Sequence, residues 1–156
     1  MIVSRLIILL VSIFTFSFSA KCQIVEFHEI EQLQKLEKKP VMVLIGTSWC
    51  NYCQSMKHHL LRDDISSDLL NKFYVIFLDA EQKQPIRYGG KVFKFKPNGQ
   101  NTGVHELAQE LGTVNNQLSY PTICFLNQQN EIIFQHAGYL SPKALSKLFE
   151  TISKLN

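Results

Sequence analysis

The stretch Thr47-Ser48-Trp49-Cys50-Asn51-Tyr52-Cys53 separates a wholly apolar run from an amphipathic segment. The run before it, Val41-Met42-Val43-Leu44-Ile45, has the composition that a buried strand needs. The segment after it, Gln54 to Leu61, predicts a helix. Its apolar face contains, at positions i, i+3 and i+7, Cys53, Met56 and Leu60. We therefore expect the two thiols at a strand-to-helix junction, with Cys50 near the N-terminus of the helix.

The position of the two cysteines predicts their chemistry. Unpaired backbone N–H groups and the positive end of the helix dipole stabilise a thiolate, and can lower a cysteine pKa from about 8.5 to roughly 3.5–7.5. Cys53 lies one turn into the helix, on the apolar side, so we expect it to be less exposed and to keep its proton longer. Cys50 would attack and Cys53 would resolve, which is dithiol–disulfide exchange and needs no cofactor beyond the pair itself.

The length and composition of the chain indicate a single globular domain. A chain of 156 residues with 46% hydrophobic and 19% charged content has room for a sizeable core. Arg5 is the only charged residue among the first 20, so their removal leaves 15 basic and 13 acidic residues. A net charge this small gives no indication of a nucleic-acid partner.

Residues 1–21 have the pattern of a secretory signal peptide. Arg5 is followed by an apolar region, Leu6 to Phe16, and by the small-residue exit Ser17 to Ala20. We predict cleavage and export, to the periplasm in a Gram-negative bacterium, with the domain at 22–156 and no stable membrane insertion afterwards. Disulfides persist outside the cytosol, which suits a thiol pair that exchanges with partner proteins.

Two alternatives for the N-terminus are weaker. A retained membrane anchor would need about 20 apolar residues, and the run is shorter than that. Lipidation of Cys22 would normally require a small residue where Lys21 stands.

The rest of the chain alternates strands and helices. We predict a strand at Ile24–Phe27, a helix at His28–Lys38, a helix from Ile65 to Phe73 capped by Asp64, and a second buried strand at Tyr74–Leu78. Two buried runs separated by a helix favour a parallel βαβ unit.

Residues 80–103 differ in composition and are interpreted as an insertion in the same domain. Gly89-Gly90 between Ile86–Tyr88 and Lys91–Phe95 predicts a β-hairpin, half buried against the body of the domain. A short helix is expected from His105 to Leu111.

The C-terminal part predicts a hairpin and a helix. Ser119 to Thr122 precedes a strand at Ile123–Leu126, which is expected to pair antiparallel with Glu131–Phe134. Ser141-Pro142 is an N-cap followed by proline at the first helical position. The apolar stripe of that helix contains Leu145, Leu148, Phe149, Ile152 and Leu155.

Taken together, this order of elements resembles the thioredoxin superfamily, over roughly residues 23–156. Two motifs carry the resemblance: Trp49-Cys50-Asn51-Tyr52-Cys53, and Tyr120-Pro121-Thr122 about 70 residues later. The chain is more specifically similar to exported thioredoxin-like proteins of Gram-negative bacteria, which carry an insertion like the one here. The resemblance implies an α/β fold with a central mixed sheet flanked by helices, and a β-hairpin insertion before the strand that a cis-proline opens.

The family implies roles for particular residues. Cys50 would be the nucleophile and Cys53 the resolving thiol, and Trp49 would shield the pair. Pro121 would be cis and face the disulfide, while the backbone of Tyr120 would bind an extended substrate as an added strand. The implied activity is that of a protein-disulfide reductase, a monomer that uses protein substrates and a thiol electron donor.

Three questions stay open at this level. Thioredoxins carry a buried acid five positions ahead of the motif tryptophan, and here that position is Leu44. Asn51-Tyr52 also differs from the Gly-Pro of thioredoxin, so the direction of electron flow is not fixed, and isomerase or oxidase use of the pair remains an alternative. The natural substrate is equally open.

Other classes of function compete with the redox hypothesis. Cys50 and Cys53 could form a structural disulfide, or half of a metal site with His58 and His59, although no fourth ligand is evident and no metal is predicted. A docking or folding-assistance module is a third class. Cys124, within a predicted strand, is interpreted as an inert apolar residue.

Overall fold

The computed structural model describes residues 24–62 and 65–155. The predicted signal peptide at residues 1–21, together with Cys22 and Asp64, lies outside the described residues. Among the residues that are described, no helix is both long and apolar enough to span a bilayer.

A four-stranded mixed sheet forms the centre of the fold. Its strands are β1 (Val41–Gly46), β2 (Tyr74–Asp79), β9 (Thr122–Leu126) and β10 (Ile132–Ala137), in the order β10-β9-β1-β2. β1 and β2 are parallel, which confirms the predicted βαβ unit, and β9 pairs antiparallel with both β1 and β10. The mixed sheet predicted from the sequence is therefore confirmed.

Helices cover both faces of this sheet. They are α1 (Phe27–Leu36), α2 (Asn51–Leu61), α3 (Ser67–Leu70), α4 (Glu106–Gly112) and α5 (Pro142–Ser153). Successive side chains of a strand point to opposite faces. Val43 and Ile45 of β1 accordingly pack in one core with α1 and α4, whereas Met42 and Leu44 pack in a second core with α2, α3 and α5. A strand buried on both faces explains why its sequence is apolar at every position before Gly46.

The first predicted strand is wrong. Ile24 makes only an isolated bridge to Val75, and α1 already begins at Phe27. Glu26 and Glu29 form a reciprocal capping box, which fixes the start of the helix at this point. Phe27 and Ile30 are then one turn apart and are both buried. The helical spacing of these two residues outweighs the short alternating pattern that predicted a strand.

The predicted helix from Ile65 to Phe73 is much shorter in the structure. Only Ser67–Leu70 is helical, and Ser66 occupies the N-cap position. A tighter turn follows directly, in which the N–H of Phe73 donates to the carbonyl oxygen of Leu70, three residues back. Ile65 and Phe73 are nevertheless buried, so the sequence pattern identified core positions correctly and helix length wrongly.

The segment after β2 contains two hairpins where one was predicted. β3 (Ile86–Tyr88) pairs with β4 (Lys91–Phe93) through Gly89 and Gly90, whose φ angles of 56° and 74° require glycine-like freedom. The second strand stops at Phe93, because the N–H of Lys94 donates to the Glu106 carboxylate. β5 (Phe95–Pro97) then pairs with β6 (Gly103–His105). The first hairpin packs on α1, with the Tyr88 and Phe27 rings 5.0 Å apart.

The C-terminal elements follow the prediction with small shifts. A short pair, β7 (Thr113–Val114) and β8 (Gln117–Leu118), precedes β9. β10 starts one residue later than predicted and extends to Ala137. The Ser141 side chain caps α5 as expected, by accepting a hydrogen bond from the N–H of Ala144. Leu155 lies beyond the end of α5 and is exposed, so it is not part of the apolar stripe.

Candidate active site

The thiol pair lies where β1 ends and α2 begins. Cys50 is the N-cap residue of α2, and its Sγ accepts a hydrogen bond of 3.1 Å from the backbone N–H of Cys53. The N–H of Cys50 in turn donates to the carbonyl oxygen of Thr47, which closes the turn between strand and helix. A sulfur that accepts an N–H bond at a helix N-terminus is in the position that stabilises a thiolate.

Cys50 and Cys53 are joined by a disulfide. Their exposed fractions are 7% and 4%, so the expected difference in exposure is in the predicted direction but small. Cys53, Met56 and Leu60 are the buried residues of α2, as the periodicity predicted. What distinguishes the two sulfurs is therefore contact with the helix N-terminus rather than access to water.

Gly46 makes room for the pair. A Cβ at this position would lie 2.7 Å from both Cβ and Sγ of Cys53, closer than side-chain atoms approach one another. The last residue of β1 must consequently lack a side chain if Cys53 is to occupy its present place.

Trp49 forms an exposed wall beside the disulfide. Its side chain is 64% exposed, and its indole N–H donates to Oε2 of Glu81 at 3.1 Å. The rings of Trp49 and Tyr120 meet edge to face, with their centroids 6.2 Å apart. The structure thus brings the motif tryptophan together with the second predicted motif, and fixes the indole with a carboxylate that the sequence analysis did not identify.

Tyr120 and Pro121 lie at the same edge of the sheet as the thiols. Thr122 pairs with Ile45, so the preceding Pro121 stands beside the end of β1 from which the motif emerges. The Tyr120–Pro121 peptide bond is cis. Burial, together with the nearby charges of Glu81 and Asp79, raises the pKa of Tyr120.

Glu81 and Asp79 are the site residues that sequence reasoning missed. Asp79 pairs with Gly46 in the parallel register of β1 and β2, and its carboxylate accepts the N–H of Glu81. The carboxyl ends of parallel strands meet at one edge of a sheet, where ligands of open α/β sheets bind. The signal was therefore present: Asp79 directly follows the second buried run, and Glu81 comes two residues later.

His58 and His59, which were considered as metal ligands beside the two cysteines, contact other residues instead. Nε2 of His59 lies 3.3 Å from the Ser55 hydroxyl and 3.4 Å from that of Tyr139, and Nε2 of His58 lies 3.3 Å from Arg62. Within residues 24–62 and 65–155, no three His, Cys, Asp or Glu side chains group as metal ligands. His59 instead supports Tyr139, whose ring is 5.5 Å from that of Tyr52.

The environment of Cys124 disfavours a thiolate. It is fully buried in β9, and burial raises the pKa of its thiol to about 12. A thiol that keeps its proton is a poor nucleophile, in agreement with the interpretation of this residue as apolar filling.

Comparison with known proteins identifies the family. The family described as thioredoxin-like domain matches residues 27–153. The chain belongs to this thioredoxin-like family. Comparison with curated proteins finds no relative.

Several solved structures share the fold of this thioredoxin-like protein. A protein described as DsbH oxidoreductase is 17% identical, with a TM-score of 0.57 over 88% of each chain. A disulphide isomerase from Xylella fastidiosa Temecula1 is 16% identical, with a TM-score of 0.54 over 81% of this chain and 86% of that one. A thioredoxin-fold protein from Helicobacter pylori is 18% identical, with a TM-score of 0.52 over 75% and 70%. At these identities the likeness shows the fold.

The family and the site together define the chemistry. A thioredoxin-like protein that carries a Cys50–Cys53 disulfide at the N-terminus of a helix is a thiol–disulfide oxidoreductase. Proteins of this family work on thiol substrates.

Proposed function

We propose that this protein is an exported protein-disulfide reductase. The observation that carries the exchange chemistry is the hydrogen bond from the N–H of Cys53 to Sγ of Cys50, which favours the thiolate of Cys50 as the attacking group. Cys50 attacks a substrate disulfide and forms a mixed disulfide. Cys53 then displaces the reduced substrate and regenerates the Cys50–Cys53 bond.

The residues between the cysteines support the reductive direction. Asn51 and Tyr52 carry no charge, so no cation within the motif stabilises the reduced thiolate further. An oxidant needs such stabilisation, because it must hold its reduced form at low free energy. Isomerase or oxidase use is the competing proposal, and the fold of the Xylella disulphide isomerase is compatible with it.

Trp49, Tyr120 and Pro121 form the proposed substrate-binding edge. An extended segment of a partner protein would pair in a strand-like manner with the backbone at Tyr120, in the turn that precedes β9. The exposed indole of Trp49 would cover the other side of the segment. The partners are protein disulfides and a thiol electron donor, the chain acts as a monomer, and the exchange uses no cofactor other than the thiol pair.

Export rests on the sequence of residues 1–21. Fractionation of a Gram-negative host that expresses the full chain tests it, with a variant lacking residues 2–20 as the control. Recovery of processed protein in the periplasmic fraction supports export, whereas recovery of the unprocessed chain in the cytosol contradicts it.

Insulin reduction tests the activity directly. Cys50→Ala should abolish turnover, and Cys53→Ala should accumulate a mixed disulfide through Cys50. The reduction potential of the pair decides the direction: a value near roughly −270 mV supports a reductase, and one near roughly −120 mV supports an oxidase. Normal insulin reduction by Cys50→Ala would overturn the assignment.

A further inference from the structure

A cavity of about 210 Å³ lies behind the disulfide, on the side of Cys53. It is bounded by the end of β1, by the first turns of α2 and by the end of β2. This volume is many times the roughly 10–15 Å³ that one water molecule requires. Cys53 is therefore buried overall and yet borders a space that water can fill.

The wall of the cavity holds a polar group without a protein partner. Oγ1 of Thr47 is buried and makes no hydrogen bond within the described part of the chain, although Thr47 is only 3% exposed. Leaving a buried hydroxyl unpaired is unfavourable, because the group has lost its hydrogen bonds to bulk water. Since Thr47 lines the cavity, water inside it is the partner that would remove this cost.

Two opposite charges complete the wall. Lys57 follows Cys53 by four residues on α2, so both lie on one face of the helix, and its ammonium stands 4.8 Å from the centroid of the Phe77 ring. Asp79 lies at the exposed end of β2. Leu44 also lines the cavity, so β1 supplies no acid to it.

We propose that this cavity is the proton route of the resolving thiol. Water in the cavity links Sγ of Cys53 to the Asp79 carboxylate, the Thr47 hydroxyl orders that water, and the Lys57 ammonium stabilises the thiolate that forms. Asp79 and Lys57 are positioning residues that act through water. They replace the buried acid that thioredoxins carry at the position of Leu44, which cannot accept a proton. The inference rests on the proposed exchange function and deepens it.

The proton route operates during substrate reduction, when Cys53 resolves the mixed disulfide. The Cys53 thiol gives its proton through water to Asp79, and the thiolate attacks Sγ of Cys50 in the mixed disulfide. The Cys50–Cys53 bond forms while the bond from Cys50 to the substrate sulfur breaks. The substrate leaves as a thiolate and takes a proton from solvent, so that two electrons pass from the cysteine pair to the substrate disulfide.

The two steps can be separated by stopped-flow reaction of the reduced protein with 5,5′-dithiobis(2-nitrobenzoate). The parent chain and all its variants carry Cys22→Ser, so that only Cys50 and Cys53 react rapidly with the reagent. Attack by Cys50 depends on reagent concentration and releases the first thionitrobenzoate. Attack by Cys53 on the mixed disulfide is independent of that concentration and releases the second.

The variants are Asp79→Asn, Lys57→Gln and Thr47→Val, with Asp68→Asn and Lys147→Gln as matched controls at exposed positions remote from the cavity. Asn retains the Oδ1 acceptor for the N–H of Glu81, and Val has the shape of Thr, whose hydroxyl makes no hydrogen bond to residues 24–62 or 65–155. Neither change removes a hydrogen bond on which folding depends.

Asp79→Asn should slow the second phase on the order of tenfold at pH 7, because general-base assistance is lost. The deficit should close as pH rises, since hydroxide then removes the proton directly. Lys57→Gln should move the pH midpoint of the second phase upward, and Thr47→Val should slow that phase a few-fold. In every variant the first phase should stay within about twofold of the parent.

An unchanged second phase in Asp79→Asn, at all pH values, would overturn the proton route. Equal slowing of both phases would also overturn it, because that is the signature of a structural effect. If the parent chain itself lacks the first phase, then the proposed exchange function fails, which is a different result from failure of the route.

Discussion

The backbone N–H of Cys53 lies 3.1 Å from Sγ of Cys50, so one member of the pair caps the helix that carries the other. The hydrogen bond satisfies one of the N–H groups that a helix leaves unpaired at its N-terminus. Cys50 thus caps the helix in the disulfide form, and we expect the same contact in the reduced protein.

Removal of this cap should destabilise the reduced protein. Loss of an N-cap side chain costs about 0.5–2 kcal/mol. We expect reduced Cys50→Ala to unfold at lower denaturant concentration than reduced Cys50→Ser, whose hydroxyl can accept the same N–H. Urea denaturation of both variants under reducing conditions measures the difference, and equal midpoints would show that the sulfur does not act as a cap.

Gly46→Ala should affect stability and exchange together. The added methyl would stand 2.7 Å from Cβ and Sγ of Cys53, and overpacking of this kind costs about 1–3 kcal/mol. We expect a lower unfolding midpoint and slower disulfide exchange. Gly89→Ala is the contrast, because its Cβ meets no atom within 4 Å although φ is +56°. It should lose stability through backbone strain while exchange stays normal, and a normal exchange rate in Gly46→Ala would contradict the packing argument.

Glu81→Ala should make the Trp49 side chain more mobile and leave the thiol pair unchanged. The indole N–H loses the carboxylate that accepts its hydrogen bond at 3.1 Å, so the wall beside the disulfide becomes mobile. We expect a KM for a protein disulfide raised several-fold with little change in kcat. Trp49 is the single tryptophan, so its fluorescence reports the change directly. Glu110→Ala, exposed on α4, is the control. An unaltered KM with altered fluorescence would show that the indole does not take part in substrate binding.

His105 should make stability depend on pH. Its side chain is fully buried at the start of α4, where Nδ1 accepts the N–H of Leu107 and Nε2 makes no hydrogen bond of ordinary geometry to any described residue. Burial lowers the pKa of His105, and the backbone of Gln84 and the charge of Glu106 oppose this only in part.

The direction of the pH effect follows from linkage. A histidine whose pKa is lower in the folded state stabilises the fold above the unfolded value of about 6.5, and loses that contribution as pH falls toward the folded value. We expect the free energy of unfolding to decrease below about pH 6.5 in the wild type and to decrease less in His105→Asn. His28→Gln, exposed on α1, is the control. Parallel pH profiles for wild type and His105→Asn would contradict this expectation.

The sequence predicted the site better than the surroundings of the site. β1 and α2 follow from patterns that are local and strong: six buried residues in succession, and a helix with its apolar face at regular spacing. Cys50 was placed at the helix N-terminus for the same reason. The first strand failed because Ile24 to Phe27 is too short for periodicity to decide, and a capping box at Glu26 decided instead.

Long-range pairing accounts for most of what was missed. The second hairpin depends on Phe95 meeting His105, ten residues away, across a turn with no distinctive sequence. The Trp49–Glu81 bond joins residues 32 positions apart, and only the register of β1 against β2 brings them together. The cavity behind Cys53 arises where three elements meet, and no local pattern encodes such a space.

Site-resolved alkylation of the reduced protein at mildly acidic pH tests the central claim most directly. With iodoacetamide at about pH 6, the account predicts rapid labelling of Cys50, slow labelling of Cys53 and none of buried Cys124, as read from peptide masses. Equally slow labelling of Cys50 and Cys53 would show that the helix N-terminus does not activate Cys50, and would contradict the account.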